Sequence, residues 1–136
     1  MTRENSRRGF AKSLLGWGTL AYLSTGLPRL SAAHVPVRSA LANIFHEKSS
    51  AAAMGKEYLA RVGGKADAEI MMESVARALS LSPDRAISIE SARALLKRRI
   101  REDFRSGNTV SLQGWVVSLT EAQVCAIVTL NGASAG

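Results

Sequence analysis

Beyond residue 38, apolar side chains recur at helical spacing through most of the chain. From Ser39 to Val62, Leu41, Ile44, Phe45, Ala52, Tyr58, Leu59 and Val62 share one face, and Glu47, Lys48, Lys56, Glu57 and Arg61 fill the other. This pattern predicts one amphipathic helix, ended by Gly63-Gly64. Its middle, Ala51-Ala52-Ala53 with Gly55, is small enough for another helix to approach closely. A second helix is expected from Ala66 to Leu79, burying Ile70, Met71, Val75 and Leu79. Ser82-Pro83 marks a fresh start, because serine caps a helix and proline fits its first position, and a single turn is expected from Ser82 to Ala86. The third long helix starts at an N-cap, Ser88, and runs to Arg105, with Gly107 as its stop. Its stripe is Ile89, Ala92, Leu96, Ile100 and Phe104, and the pairs Arg98 with Glu102 and Arg99 with Asp103 stand one turn apart.

The pattern changes at Asn108–Val117 (NTVSLQGWVV), where β-branched residues and a Gly-Trp without a helical stripe predict a short extended arm or hairpin. Ser118-Leu119-Thr120-Glu121 has the form of a capping box, with Thr120 and Gln123 as an equally good alternative. A final helix follows over about 121–130, and residues 131–136, with nothing to bury, are expected to form a disordered tail. The predicted fold class is therefore all-α: a small three- to four-helix bundle over 34–130, with a short extended arm before the last helix.

The net charge of +7 and a pI near 10.3 raise the question of nucleic acid. Residues 1–33 hold Arg3, Arg7, Arg8, Lys12 and Arg29 against Glu4, so four of the seven charges lie there. What remains needs no polyanion to explain it, and no nucleic-acid partner is expected. The single cysteine, Cys125, cannot close an internal disulfide, and two histidines cannot build a structural zinc site without carboxylates. No run reaches the roughly 18–20 apolar residues of a spanning helix.

The sharpest motif lies at the start. Ser6-Arg7-Arg8-Gly9-Phe10-Ala11-Lys12 resembles the twin-arginine translocation signature S-R-R-x-F-x-K at every defined position. A mildly apolar stretch follows, Ser13 to Leu27, then a helix-breaking Pro28, Arg29, and the small residues Ser31-Ala32-Ala33. The resemblance implies that 1–33 is an export signal cut after Ala33, with Ser31 and Ala33 read by a signal peptidase. It also implies the Tat translocase as a partner, a periplasmic or otherwise exported destination, and only transient contact with the membrane. A basic arm lying on a membrane or on nucleic acid, and an uncut signal kept as an anchor, are the alternatives.

Candidate sites in the remainder are few. A cut after Ala33 would make His34 the first residue, offering an amine and an imidazole to copper with His46 as a second imidazole; the plainer reading is two surface histidines, with no metal and no cofactor. Cys125, beside Val124 and Val128, reads as a buried, inert thiol, with an intermolecular disulfide as the alternative. Arg93, Lys97, Arg101 and Arg105 step by four along the third long helix, either as a solvated face or as a docking stripe for an acidic partner. Trp115 is an interface anchor or a core residue. No Ser-His-Asp set, paired-carboxylate site or glycine-rich phosphate loop is evident, so no catalytic residue is assigned.

The segment from Ile100 to Ile127 carries Asp103-Phe104, Gly114-Trp115-Val116-Val117-Ser118, Thr120-Glu121-Ala122 and Cys125-Ala126. These residues resemble the ends of small bacterial proteins that bear twin-arginine signals. More loosely, the layout is similar to the small subunits of periplasmic flavin-dependent dehydrogenases of the sorbitol or gluconate type. There a short helical subunit carries the signal for a larger enzyme that has none. That resemblance implies a non-catalytic escort subunit of a signal-less oxidoreductase; a free-standing periplasmic binding or structural protein is the alternative.

Overall fold

The computed structural model describes residues 32–63 and 66–134. The twin-arginine residues Ser6, Arg7, Arg8, Phe10 and Lys12, and Ser31 of the cleavage box, lie outside the described residues. From Ala33 onward the chain is one compact unit.

This unit is mostly helical, with two small antiparallel strand pairs. In chain order its elements are β1 (His34–Pro36), α1 (Val37–Ala42), α2 (Lys48–Arg61), α3 (Ala68–Ala78), β2 (Ala86–Ser88), α4 (Ile89–Ser106), β3 (Thr109–Leu112), β4 (Trp115–Ser118) and α5 (Leu119–Ser134). The all-α expectation is thus corrected in part: helices dominate, but five are present among the described residues, and strands accompany them.

Two departures have identifiable causes. The helix expected over Ser39–Val62 is broken into α1 and α2, because the chain turns at Asn43. The Asn43 side chain donates to the Ser39 carbonyl at 2.9 Å and accepts from Lys48 Nζ at 3.0 Å. Arg93 of α4 donates to the Ile44 carbonyl at 2.9 Å, satisfying an acceptor that a continuous helix would have used itself. Around Ser82–Ala86 the expected single helical turn is instead a turn that feeds β2, which pairs with β1 in the register His34↔Ser88, Val35↔Ile87, Pro36↔Ala86. That pairing brings the Arg85 and Pro83 carbonyls to the Val37 and Arg38 amides, at 3.0 and 3.2 Å. The amides that open α1 thus find acceptors across the chain, although its N-cap, Pro36, offers no side-chain oxygen.

The core is organised around α5. Ala122, Val124, Cys125, Ala126, Ile127 and Val128 are all buried, on every side of this helix, the signature of a helix enclosed by others. It packs against α2 most extensively and also against α1, α3, α4 and the β3–β4 hairpin. α3 contributes Met71, Met72, Val75, Ala76 and Leu79. Ile70, expected among them, is 68% exposed, because the buried stripe of α3 starts one residue later than the pattern suggested. α5 also runs four residues past Leu130, so residues 131–134 are helical rather than the start of a tail, and Ser134 Oγ donates to the Leu130 carbonyl.

The contact between α2 and α5 is closest at Gly55. The space a Cβ would take is occupied there by the Thr129 hydroxyl and the Cys125 carbonyl of α5. Thr129 Oγ1 donates within α5 to the Cys125 carbonyl at 2.9 Å and lies 3.2 Å from the Ala52 carbonyl of α2. The small middle of α2 is therefore what lets the two backbones meet. Gly55→Ala is expected to destabilise the protein by about 2–3 kcal/mol in urea unfolding, although alanine is the better helix former, because the methyl group must force the helices apart.

Candidate interaction surface

A carboxylate on α4 builds the end of the molecule that carries the exposed hairpin. The apolar stripe of α4 passes through Ala92 and Leu96, both buried, and reaches Asp103, which is fully buried. Phe104, expected to face the core at this level, is 48% exposed. The exchange makes sense because Asp103 is surrounded by donors. Ser118 Oγ donates to Oδ2 at 2.6 Å, and the Thr120 amide lies 3.2 Å from the same oxygen. Asn108 Nδ2 donates to Oδ1 at 3.1 Å, and Arg99 Nε stands 3.0 Å from Oδ1 as an ion pair one turn away, its angle too bent for a hydrogen bond.

The backbone of the same residue ends α4. The Asp103 carbonyl accepts from the amides of Gly107, in the left-handed region at φ 72°, and of Asn108 at 2.8 Å. Asp103 thus closes one helix with its carbonyl and opens another with its carboxylate. Ser118 completes the start of α5 by accepting from the Glu121 amide at 3.2 Å, the first half of the expected capping box. The Leu119 amide donates to the Asn108 carbonyl at 3.0 Å, closing the base of the hairpin.

Between these anchors β3 and β4 pair from Thr109↔Ser118 to Leu112↔Trp115. Their two-residue loop, Gln113-Gly114, has φ of 49° and 83°, the geometry of a type I′ turn. The base of β4 is buried at Val117 and Ser118, whereas its end beside the turn leaves Val116 59% and Trp115 75% exposed. Trp115 and Val116 flank a groove of about 450 Å³ against α2, with Ala53, Met54 and Leu112 as further apolar lining and Glu121 among its polar residues.

The other sequence-derived residues separate into two groups. Arg93 is committed inward to Ile44, so the four-step stripe is not a uniform free face. Lys97, Arg101 and Arg105 are exposed along α4. His34 lies on β1 and His46 in the α1–α2 connection, both exposed. Among the described residues, no three His, Cys, Asp or Glu side chains are grouped to hold a metal ion. Cys125 is buried, and desolvation, with a smaller contribution from the nearby Glu121 charge, pushes its thiol up to about 12, far from a nucleophile's range. Ser118 beside Asp103 superficially suggests an activated hydroxyl. Both are fully buried, and both spend their hydrogen bonds on the start of α5, so the pair is a cap.

No protein-family model matches the chain, and neither a curated protein nor a solved structure resembles it significantly.

Sequence reading missed Asp103 and Glu121. The first was signalled: 92, 96 and 103 continue one helical face, and a carboxylate there requires donors. For Glu121 the sequence signals only a place in a cap, because its position in the groove depends on how the hairpin folds back toward α2.

Asp103 has a pH signature. Burial pushes its carboxyl up, but the donors from Ser118, Thr120 and Asn108 outweigh this and hold it below its ordinary value. A carboxyl depressed in the folded state contributes stability that is complete above its unfolded value near 3.8 and fades as pH falls toward the folded value. Asp103→Asn turns an NH2 toward at least one of these donors and is expected to cost about 3 kcal/mol at pH 7. Thermal melts from pH 7 to pH 2 should show the difference between wild type and variant shrinking in the acid limb.

Proposed function

We propose that this chain is an exported, non-catalytic accessory subunit that carries a larger, signal-less periplasmic oxidoreductase through the twin-arginine route. In this reading residues 1–33 form a cleavable signal helix, with Arg7 and Arg8 as the address and Ala33 as the last residue removed. The helical bundle from His34 onward is the cargo-binding part. The supporting observation is a twin-arginine signature ahead of a domain that leaves a tryptophan and a valine exposed on a firmly anchored hairpin. Large exposed aromatic side chains on rigid elements are how protein interfaces concentrate their binding energy.

The resemblance at the end of the chain is consistent with this division of labour. Asp103, Ser118 and Thr120 are taken up by the cap. Trp115 and Phe104, both exposed, have no comparable structural task. The exposed Lys97, Arg101 and Arg105 would supply a polar, charged rim.

The groove beside Trp115 also favours a second reading, a free-standing periplasmic binding protein for a small apolar ligand, since its volume falls in the range of ligand pockets. The two readings separate on isolation of the protein from the periplasm of cells expressing its native gene neighbourhood, followed by intact-mass and peptide mass spectrometry. The escort reading predicts a chain beginning at His34 in stoichiometric complex with a larger protein that has no signal of its own. A chain recovered alone would end that reading and leave the binding protein. Replacing Arg7 and Arg8 by lysine should leave both proteins in the cytoplasm.

A further inference from the structure

The groove between the hairpin and α2 has a chemical bias beyond being apolar. Besides Trp115, Val116 and Met54, it is lined by the Glu121 side chain, and no lysine or arginine lines it. Two other grooves differ: one mixes Arg38 and Arg77 with Glu69, Glu73 and Asp84, and the other is lined by Arg85 and Arg98 with no carboxylate. Glu121 stands in the first turn of α5, where its backbone amide is capped by Ser118. Among the described residues no side chain donates a hydrogen bond or an ion pair to its carboxylate, although the residue is half-buried. Burial pushes this carboxyl above its ordinary value. A carboxylate left in this way beside exposed tryptophan and valine complements a cation carried next to an apolar side chain.

We propose that the hairpin groove docks a segment of the escorted partner in which a large apolar side chain stands next to a lysine or arginine, the apolar group seated between Trp115, Val116 and Met54 and the cation paired with Glu121. This rests on the escort reading, and it names the face and the chemistry through which the partner is held. Lys97, Arg101 and Arg105 of α4 do not line this groove. The groove's volume of about 450 Å³ admits a few side chains rather than a whole helix, so the segment is short. The cation would also contribute a stacking contact if it lay over the Trp115 ring.

The test uses the complex isolated from the periplasm, with Val116 replaced by the photo-crosslinking residue benzoylphenylalanine. Irradiation is expected to join it to one partner peptide, whose sequence places lysine or arginine adjacent to the crosslinked apolar residue. Glu121→Lys is expected to cut the crosslink yield at least about tenfold, as reversal of a close interfacial charge does. Should Glu121→Lys not fold, Ser50→Lys puts the opposite charge on the exposed α2 wall of the same groove, and the same loss is expected. Trp115→Ala, at a position 75% exposed, should lower the yield comparably without lowering the melting temperature.

A complex that forms normally but yields no Val116 crosslink would overturn the proposal and leave the escort reading standing. So would a crosslinked peptide that is acidic, one that belongs to a second copy of this chain, or a yield indifferent to both charge changes. Failure of any partner to co-purify would overturn the escort reading and this inference with it.

Discussion

The buried Asp103 carboxylate is the constraint on which the hairpin end of the domain depends. Its side chain and carbonyl serve two helix ends and the hairpin that joins them: α4 stops on the carbonyl, α5 starts on the carboxylate through Ser118 and Thr120, and Asn108 ties in the first strand. A buried charge is tolerated only when its lone pairs are met, and here hydrogen-bond donors from Asn108, Ser118 and Thr120 converge on it, with the Arg99 guanidinium as an ion-pair partner. The arrangement fixes the direction in which the hairpin leaves the core. It thereby fixes where Trp115 and Val116 stand.

The other half of the domain depends on the middle of α5, Ala122 to Val128, being enclosed by its neighbours. Close approach at Gly55 puts the α2 backbone against it, and α1, α3 and α4 cover the remaining sides. α1, only six residues long, is steadied by the β1–β2 pair, by loop carbonyls at its first amides and by Arg93 at the Ile44 carbonyl. The bidentate pair of Arg38 with Glu69 adds a link from α1 to α3 at the surface, where solvent screens most of its worth.

Much of this was legible in the sequence, for physical reasons that also explain the failures. Helices with a clear polar face and a punctuating residue were found within a few residues: Ser88 and Gly107 bound α4, and the β-branched run ending in Gly-Trp marked the hairpin. The break at Asn43 has no proline or glycine to announce it; it rests on the bonds of the Asn43 side chain and on an arginine 49 positions from Ile44. The strands β1 and β2 are three residues each and far apart in sequence, so neither has a pattern of its own. Ile70 and Phe104 are hydrophobic in type but out of phase with the buried faces of their helices, and on α4 the phase favours Asp103. Of the candidate interface, Trp115 could be named from the sequence, but Glu121 belongs to it only through the fold of the hairpin, and Arg93 is withdrawn from the free face by a bond no spacing rule contains.

The hairpin that presents Trp115 is ordered by the same carboxylate that starts α5, and the proposed docking face rests on that order. Native-state amide hydrogen exchange tests this most directly. If the claim holds, the Thr120 and Glu121 amides and the paired amides of β3 and β4 open together with one free energy, and in Asp103→Asn all of them lose protection while the α2–α3 region keeps its own. Hairpin amides that keep wild-type protection in Asp103→Asn, or that open independently of Thr120 and Glu121 in the wild type, would contradict it.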